Sequence, residues 1–150
     1  MSVTVYASVA QFTQRLPQTA WGARTVADVQ NALVTASADM DDVFRGLYRL
    51  PFLAVGASVS RRCVDHARYL FLGGRGFSPE QEADKDIVRA EEDFWAWLDK
   101  VQRRTLFPDV TIDPTAATTL PAGSWAQPTV ASSPPRGWEG GPGGGWQGVG

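Results

Sequence analysis

The run TVADVQNALVTASADMDDVFRGLYRLPF, from Thr25 to Phe52, decides the fold of this chain. Thr25 and Asp28 have the spacing of a capping box, which marks the start of a helix. The apolar residues that follow recur every three or four positions, as on one face of an α-helix: Val26, Val29, Leu33, Ala36, Met40, Val43 and Leu47. The helix must stop before Pro51, because proline does not fit inside a helix. This stretch predicts a long amphipathic helix that packs against other helices.

Three further helices are predicted around it. The first follows Ser8 as its N-cap and ends at Pro17. The third covers about residues 58–72, with Val59, Cys63, Ala67 and Leu70 facing inward. The fourth opens at SPEQ, with Ser78 as the cap and Gln81 closing a capping box, and it reaches about Arg104. Its apolar face is Ala83, Ile87, Ala90, Phe94, Trp97 (or Leu98) and Val101. The predicted fold class is all-α: a small four-helix domain followed by a long extended C-terminal arm.

The arm is predicted from a change of composition near Phe107. The 44 residues from there to Gly150 contain nine glycines, seven prolines and only four charged residues, so no long helix fits. We therefore divide the chain into a helical domain, 1–106, and an arm, 107–150. Trp125, Trp138 and Trp146, with Arg136, are the residues expected to bind a partner chain. Folding of the arm back onto its own subunit, and disorder of the arm, are the alternatives.

Composition excludes several classes of protein. The net charge of −2 gives no general reason to expect a nucleic-acid-binding surface. A single cysteine, Cys63, excludes an intrachain disulfide and fits a reducing compartment. No signal peptide and no run of about 18 apolar residues is visible, so we expect a soluble protein that acts without a membrane.

Charge is divided between the helices. From Arg45 to Arg75 there are six arginines and one acid, whereas from Glu80 to Asp99 there are eight acids and two bases. Either the two solvated faces neutralise each other within one subunit, or the basic side of one subunit meets the acidic side of the next. The candidate subunit-interface residues are Arg45, Arg49, Arg61, Arg62, Arg68, Glu80, Glu82, Asp84, Asp86, Glu91 and Glu92. Trp95 and Trp97 cannot share a helix face, so one is expected in the core and the other at an interface.

Candidates for catalysis are few. Cys63 and His66 share a helix face at i and i+3, so a nucleophile–base or metal pair is conceivable, but the chain has no second histidine or cysteine to complete a zinc site. Asp65 points away from that face. A structural histidine beside a buried thiol is the simpler interpretation. The GGRG run from Gly73 to Gly76 lacks the strand and the Lys-Ser/Thr of a phosphate-binding loop. We expect no enzyme, no metal and no cofactor.

Three segments resemble a known family in the same order along the chain. They are YASVAQF (Tyr6 to Phe12), MDDVFRGLYRLPF (Met40 to Phe52) and CVDHARYLF (Cys63 to Phe71). Together they resemble the head–tail connector (adaptor) proteins of Mu-like tailed phages, a family formerly catalogued as a domain of unknown function. The resemblance covers roughly Val5 to Arg104, and the arm departs from it.

The resemblance implies a structural virion protein. Copies of the chain would form a ring beneath the portal at the head–tail neck, extend the DNA channel and provide the platform for tail attachment. The implied partners are the chain itself, the portal protein and a tail-side neck protein (a stopper or tail terminator). DNA would pass without sequence-specific binding, and no membrane would be involved. The implied location is the virion neck, with the host cytoplasm during assembly.

Two alternatives stay open at this point. One is another neck protein, a stopper or a tail-completion protein, although stoppers are usually β-rich. The other is a cellular helical adaptor whose tail is a peptide ligand for a partner domain.

Overall fold

Four helices and a small sheet make up the fold of the computed structural model, which describes residues 4–114. In chain order the elements are α1 (Val9–Arg15), a 3-10 turn (Gln18–Ala20), α2 (Val26–Phe44), β1 (Phe52–Val55), α3 (Ala57–Gly73), α4 (Glu82–Gln102) and β2 (Val110–Ile112). Helices α2 and α3 form the centre of the fold, since each of them packs against all three other helices. The mostly helical fold predicted from the sequence is confirmed for these residues.

Capping explains where helices α1 and α2 begin. The Ser8 hydroxyl accepts a hydrogen bond from the N–H of Gln11, and the Gln11 side chain returns one to the N–H of Ser8. Thr25 and Asp28 form the same reciprocal pair at the start of α2. Each box satisfies two backbone donors that the first turn of a helix leaves open. Both predicted helix starts are therefore correct.

The start predicted for the fourth helix is wrong. Helix α4 begins at Glu82, with Gln81 in the N-cap position and no side-chain cap. The backbone N–H of Ser78 donates to the carboxylate of Asp84 at 2.8 Å, which draws residues 78–81 into a turn instead of a first helical turn. A buried carboxylate thus replaces the cap that the SPEQ motif predicts.

The face of α2 that packs inward differs slightly from the predicted stripe. Val26 is 45% exposed, and Val43 and Leu47 are half-buried. Phe44 is fully buried instead, and α2 ends there. The buried side of α2 consists of Val29, Ala32, Leu33, Ala36, Ser37, Met40 and Phe44.

Aromatic rings fill the end of the core that is nearest to the sheet. The ring of Phe44 packs edge-on against those of Tyr6, Tyr48, Phe52 and Trp97, with centroids 5.4 to 6.2 Å apart. Edge-to-face pairs at these distances are favourable beyond the apolar area that they bury. Phe52, the first residue of β1, is thereby fixed in the core.

The two-stranded sheet is an addition to the all-α fold predicted from the sequence. Strands β1 and β2 pair antiparallel, with Phe52 opposite Ile112 and Val55 opposite Val110, and the register shifts between Phe52 and Ala54. β2 lies within the range 107–150 that the sequence assigns to the arm. The β-branched residues of β2 suit a half-buried strand. The β2 residues of that range therefore pack on the helical domain.

Candidate functional site

A polar cleft of about 300 Å³ opens between α1, α3 and α4. We call it the arginine cleft, and its lining consists of Arg15, Arg61, Arg62, Asp65, Arg68, Asp86, Ala90 and Asp93. Helical spacing builds it, because residues 61, 65 and 68 repeat along one side of α3 and residues 86, 90 and 93 along one side of α4. The structure thus brings together four of the predicted interface residues: Arg61, Arg62, Arg68 and Asp86.

Asp65 is the only buried acid of the arginine cleft. Its carboxylate lies 3.1 Å from the guanidinium of Arg15 on α1 and 3.5 Å from that of Arg68 on its own helix. The side chain of Asp65 is 3% exposed, and burial of a carboxylate requires such partners. Asp65 joins α1 to α3 and partly neutralises the arginines around it.

Arg68 retains an unused hydrogen-bond donor. Its side chain is 13% exposed, and its buried Nε has no hydrogen-bond partner in the part of the chain that the structure describes. Burial lowers the pKa of Arg68, and the neighbouring Asp65 acts in the opposite direction. A buried donor without a partner is costly, so an acceptor that enters the cleft would be stabilising.

A second groove continues the arginine cleft toward α1. It shares Arg15 and Arg61 with the cleft and adds the amide side chains of Gln11 and Gln14. Neither Arg61 nor Arg62 takes part in a salt bridge within residues 4–114. Two guanidinium groups are therefore available, that of Arg61 where the two grooves meet and that of Arg62 in the arginine cleft.

Two predicted interface residues, Asp84 and Glu91, are buried. Asp84 is 1% exposed. Its carboxylate accepts hydrogen bonds from Arg75 and then from the N–H of Ser78, and these bonds lower the pKa of Asp84. Glu91 is buried and accepts from His66 and from the Trp95 indole. Both acids pair within the subunit, which corrects the prediction that they face a neighbouring copy. Their helical pattern alone does not distinguish a solvated acid from a buried, paired one.

The other predicted interface residues lie apart from the cleft. Arg45 is exposed at the end of α2. The guanidinium of Arg49 donates to the backbone carbonyl of Pro114 and so contacts the far end of the described chain. Glu80, Glu82 and Glu92 are exposed, at the start and on the outer side of α4.

Cys63 and His66 do not form a nucleophile–base pair. Both ring nitrogens of His66 face carboxylates, with Nδ1 2.8 Å from Glu91 and Nε2 2.8 Å from Asp39. The thiol of Cys63 instead lies 3.4 Å from the Ser37 hydroxyl. Burial raises the pKa of Cys63 to about 11, so the thiolate needed for nucleophilic attack is scarce near neutral pH. Among residues 4–114, no group of three or more potential ligands forms a metal site.

The two tryptophans of α4 lie in different environments, and the prediction that one of them belongs to the core is confirmed. Trp97 is 7% exposed and belongs to the aromatic core, whereas Trp95 is 48% exposed. The Trp95 indole donates to Glu91 at 2.7 Å, which fixes the ring against the helix. Next to it along α4, Val88 and Glu92 line a more apolar cleft of about 390 Å³ with Phe77. An exposed tryptophan held in one orientation is a candidate contact residue.

Four predicted site residues lie outside the described residues. They are the arm residues Trp125, Arg136, Trp138 and Trp146. Within residues 4–114, no helix combines the length and the apolar character that a membrane span requires.

A match to a known protein family covers the whole described fold. The family model for Bacteriophage Mu, Gp36 matches residues 6–124. The chain belongs to the Mu Gp36 family. This confirms the Mu-like phage family predicted from the sequence, and membership of the Gp36 family supports a structural, virion-associated protein. No curated protein matches the chain. No solved structure matches it either.

Proposed function

We propose that this Gp36 family member is a head–tail connector. Copies form a ring beneath the portal, extend the DNA channel and provide the platform to which the tail attaches. The observation that carries the proposal is the match to a phage protein family from residue 6 to residue 124, which includes every helix and both strands of the fold.

Two features of the structure support an assembly role over an enzymatic one. Cys63 and His66, the best catalytic candidates in the sequence, do not act as a pair. Carboxylates lie next to both ring nitrogens of His66, and the thiol of Cys63 is buried. The largest concentration of arginines instead lines an open cleft with an unused donor. A surface with unmet hydrogen-bonding capacity is typical of a contact with another chain.

The partners of the connector follow from its place in the neck. They are other copies of the chain, the portal protein above and a stopper or tail terminator below. DNA passes through the ring without sequence-specific contacts, and a net charge of −2 suits passage better than a strongly basic lumen does. The mostly helical fold favours a connector over a stopper.

The proposed role of the C-terminal arm is to bind a partner chain. Residues 107–150 begin on the sheet, and Trp125, Trp138 and Trp146 with Arg136 would bind the portal-side partner. Removal of residues 128–150 is expected to leave the helical domain folded, by circular dichroism, and to reduce the yield of tailed particles. A normal particle yield would contradict this role of the arm.

Electron cryomicroscopy of particles tests the connector directly. The expected result is a ring of copies between portal and tail, into which the helical domain fits as a rigid body. Particles that lack the chain should accumulate as DNA-filled or empty heads without tails. Density for the chain at the tail tip, or tailed particles that form without it, would contradict the proposal.

A further inference from the structure

We infer that the arginine cleft of one copy receives the Trp95 face of a second copy. The Trp95 face consists of Glu92, Trp95 and Asp99, on the side of α4 that turns away from the cleft. This inference rests on the proposed function, because it names the contact by which copies of the chain would assemble into a ring.

The cleft offers donors that its own subunit does not use. The buried Nε of Arg68 has no partner within the described residues, and Arg61 and Arg62 form no salt bridge there. The Asp65 carboxylate pairs only with the guanidinium of Arg15 and with one nitrogen of Arg68. An occupant with carboxylate groups would satisfy these donors, because guanidinium and carboxylate pair with matched geometry.

The Trp95 face offers the complementary groups. Trp95 is among the few large apolar side chains exposed in residues 4–114, at 48%. Glu92 precedes it by three positions and Asp99 follows by four, so both acids flank the indole on one helix face. The carboxylate of Asp99 forms a salt bridge with Arg103 at 2.9 Å. Glu92 is exposed and forms no salt bridge within residues 4–114. Glu92 is therefore the principal acid of this face.

Arginine and tryptophan make a strong pair at a protein interface. A guanidinium stacked on an indole is attracted by the negative face of the ring. Both residue types are enriched among those that carry most of the binding energy. Trp95 packed over the guanidinium of Arg62, with Glu92 reaching Arg61, would use both guanidinium groups of the cleft that form no salt bridge within residues 4–114.

Helical geometry makes the contact head-to-tail. Asp93 lines the cleft, and Trp95 follows two positions later, which places the two side chains about 160° apart around the axis of α4. The two surfaces of one copy therefore point in different directions. Each copy would then bind one neighbour through its cleft and another through its Trp95 face. A contact of this kind does not stop at a dimer, and it closes into a ring when the rotation from one copy to the next divides a full turn.

A protein carboxylate suits the cleft better than DNA does. Asp86 and Asp93 line it on the α4 side and would repel the closely spaced phosphates of a duplex. A single carboxylate beside an indole meets less of this repulsion than a row of phosphates does, because only Glu92 must enter the cleft and Asp99 is paired with Arg103. DNA is therefore the alternative occupant that the experiment must separate.

Disulfide trapping tests the contact in the full-length chain. Cys63 is the only native cysteine and is buried, so added surface cysteines report without background. A chain that carries both Arg61→Cys and Glu92→Cys should give a ladder of dimers, trimers and larger species on oxidation, in the concentrated purified chain or in assembled particles. Each single variant should give almost none. No ladder in either preparation would overturn the inference.

Charge reversal gives an independent measurement that does not require oxidation. Arg61→Glu and Glu92→Arg should each weaken association by about tenfold, as expected for loss of one close charge pair, and the double variant should regain most of it. Glu82→Arg is the matched control on the same helix and should have little effect. Equal association of all four variants would overturn the inference. It would also be overturned if the chain bound duplex DNA, if Arg61→Glu alone removed that binding, and if association between copies were unchanged.

The two proposals fail in different ways. A ring at the neck without the Arg61–Glu92 crosslink removes this contact and leaves the connector in place. A crosslink ladder from a chain that is absent from the neck removes the connector and leaves the contact.

Discussion

Glu91 on α4 holds the imidazole of His66 on α3, with a carboxylate oxygen 2.8 Å from Nδ1. On the other side of the ring, Nε2 lies 2.8 Å from the carboxylate of Asp39 on α2. The imidazole also stacks on Phe94, with the ring centroids 4.3 Å apart. Because both nitrogens face acceptors, the doubly protonated ring satisfies all of these contacts. One side chain therefore joins the three long helices through charge.

We predict that this arrangement makes stability fall as the pH rises. Burial by itself lowers the pKa of His66, but hydrogen bonds to Glu91 and Asp39 outweigh it and raise the pKa above its ordinary value. A raised folded-state pKa stabilises the fold fully below the unfolded value of about 6.5, and this stabilisation is lost as the pH rises through the folded value. Urea unfolding from about pH 6 upward should show the decline. His66→Gln should remove it, and an unchanged pH slope in that variant would contradict the prediction.

A second prediction concerns the thiol of Cys63. It is buried against Ser37, and its pKa is raised to about 11, so thiol reagents should react with the folded chain far more slowly than with the unfolded chain. Labelling at neutral pH with and without urea, followed by mass spectrometry, measures the difference. Rapid labelling of the folded chain would show that the α2–α3 contact opens readily.

Local signals account for the parts of the fold that the sequence predicts well. The capping boxes at Ser8 and Thr25 and the 3–4 spacing of apolar residues depend only on neighbours along the chain, so two helix starts and all four helices are predictable. The pairing of β1 with β2 joins residues more than 50 positions apart through very short strands. No local periodicity marks such a pair, so the sequence does not predict the sheet.

The candidate site was predictable in composition but not in arrangement. The excess of arginine before residue 75 indicates a basic surface, and Arg61, Arg62 and Arg68 do meet in one cleft. Which acids remain free was not predictable, because Asp84 and Glu91 are buried by contacts with Arg75 and His66 from another part of the chain. The sequence predicts that Trp95 and Trp97 lie on different faces of α4, but it does not indicate which of the two is buried.

A third prediction concerns the aromatic core. Phe44→Ala should lower the free energy of unfolding by about 3–5 kcal/mol, because it empties the position where the rings of Tyr6, Phe52 and Trp97 converge. Phe107→Ala is the matched control, since Phe107 is 55% exposed, and it should change stability by less than about 0.5 kcal/mol. Urea unfolding followed by tryptophan fluorescence gives both values. A loss below about 1 kcal/mol for Phe44→Ala would contradict the burial of Phe44 among these rings.

The last prediction sets the boundary of the folded domain by truncation. A chain that ends at residue 114 keeps β2, its pairing with β1 and the bond from Arg49 to the Pro114 carbonyl. A chain that ends at residue 106 loses all three and exposes the apolar side of β1 next to Phe52. We expect the shorter chain to be less stable by about 2 kcal/mol or more, because the half-buried Val110 and Ile112 leave the core edge and β1 loses its ladder. Thermal unfolding of the two truncations beside the full chain measures this difference. Equal stability of the two would place the boundary at residue 106, as the composition predicts, and would make β2 part of the arm.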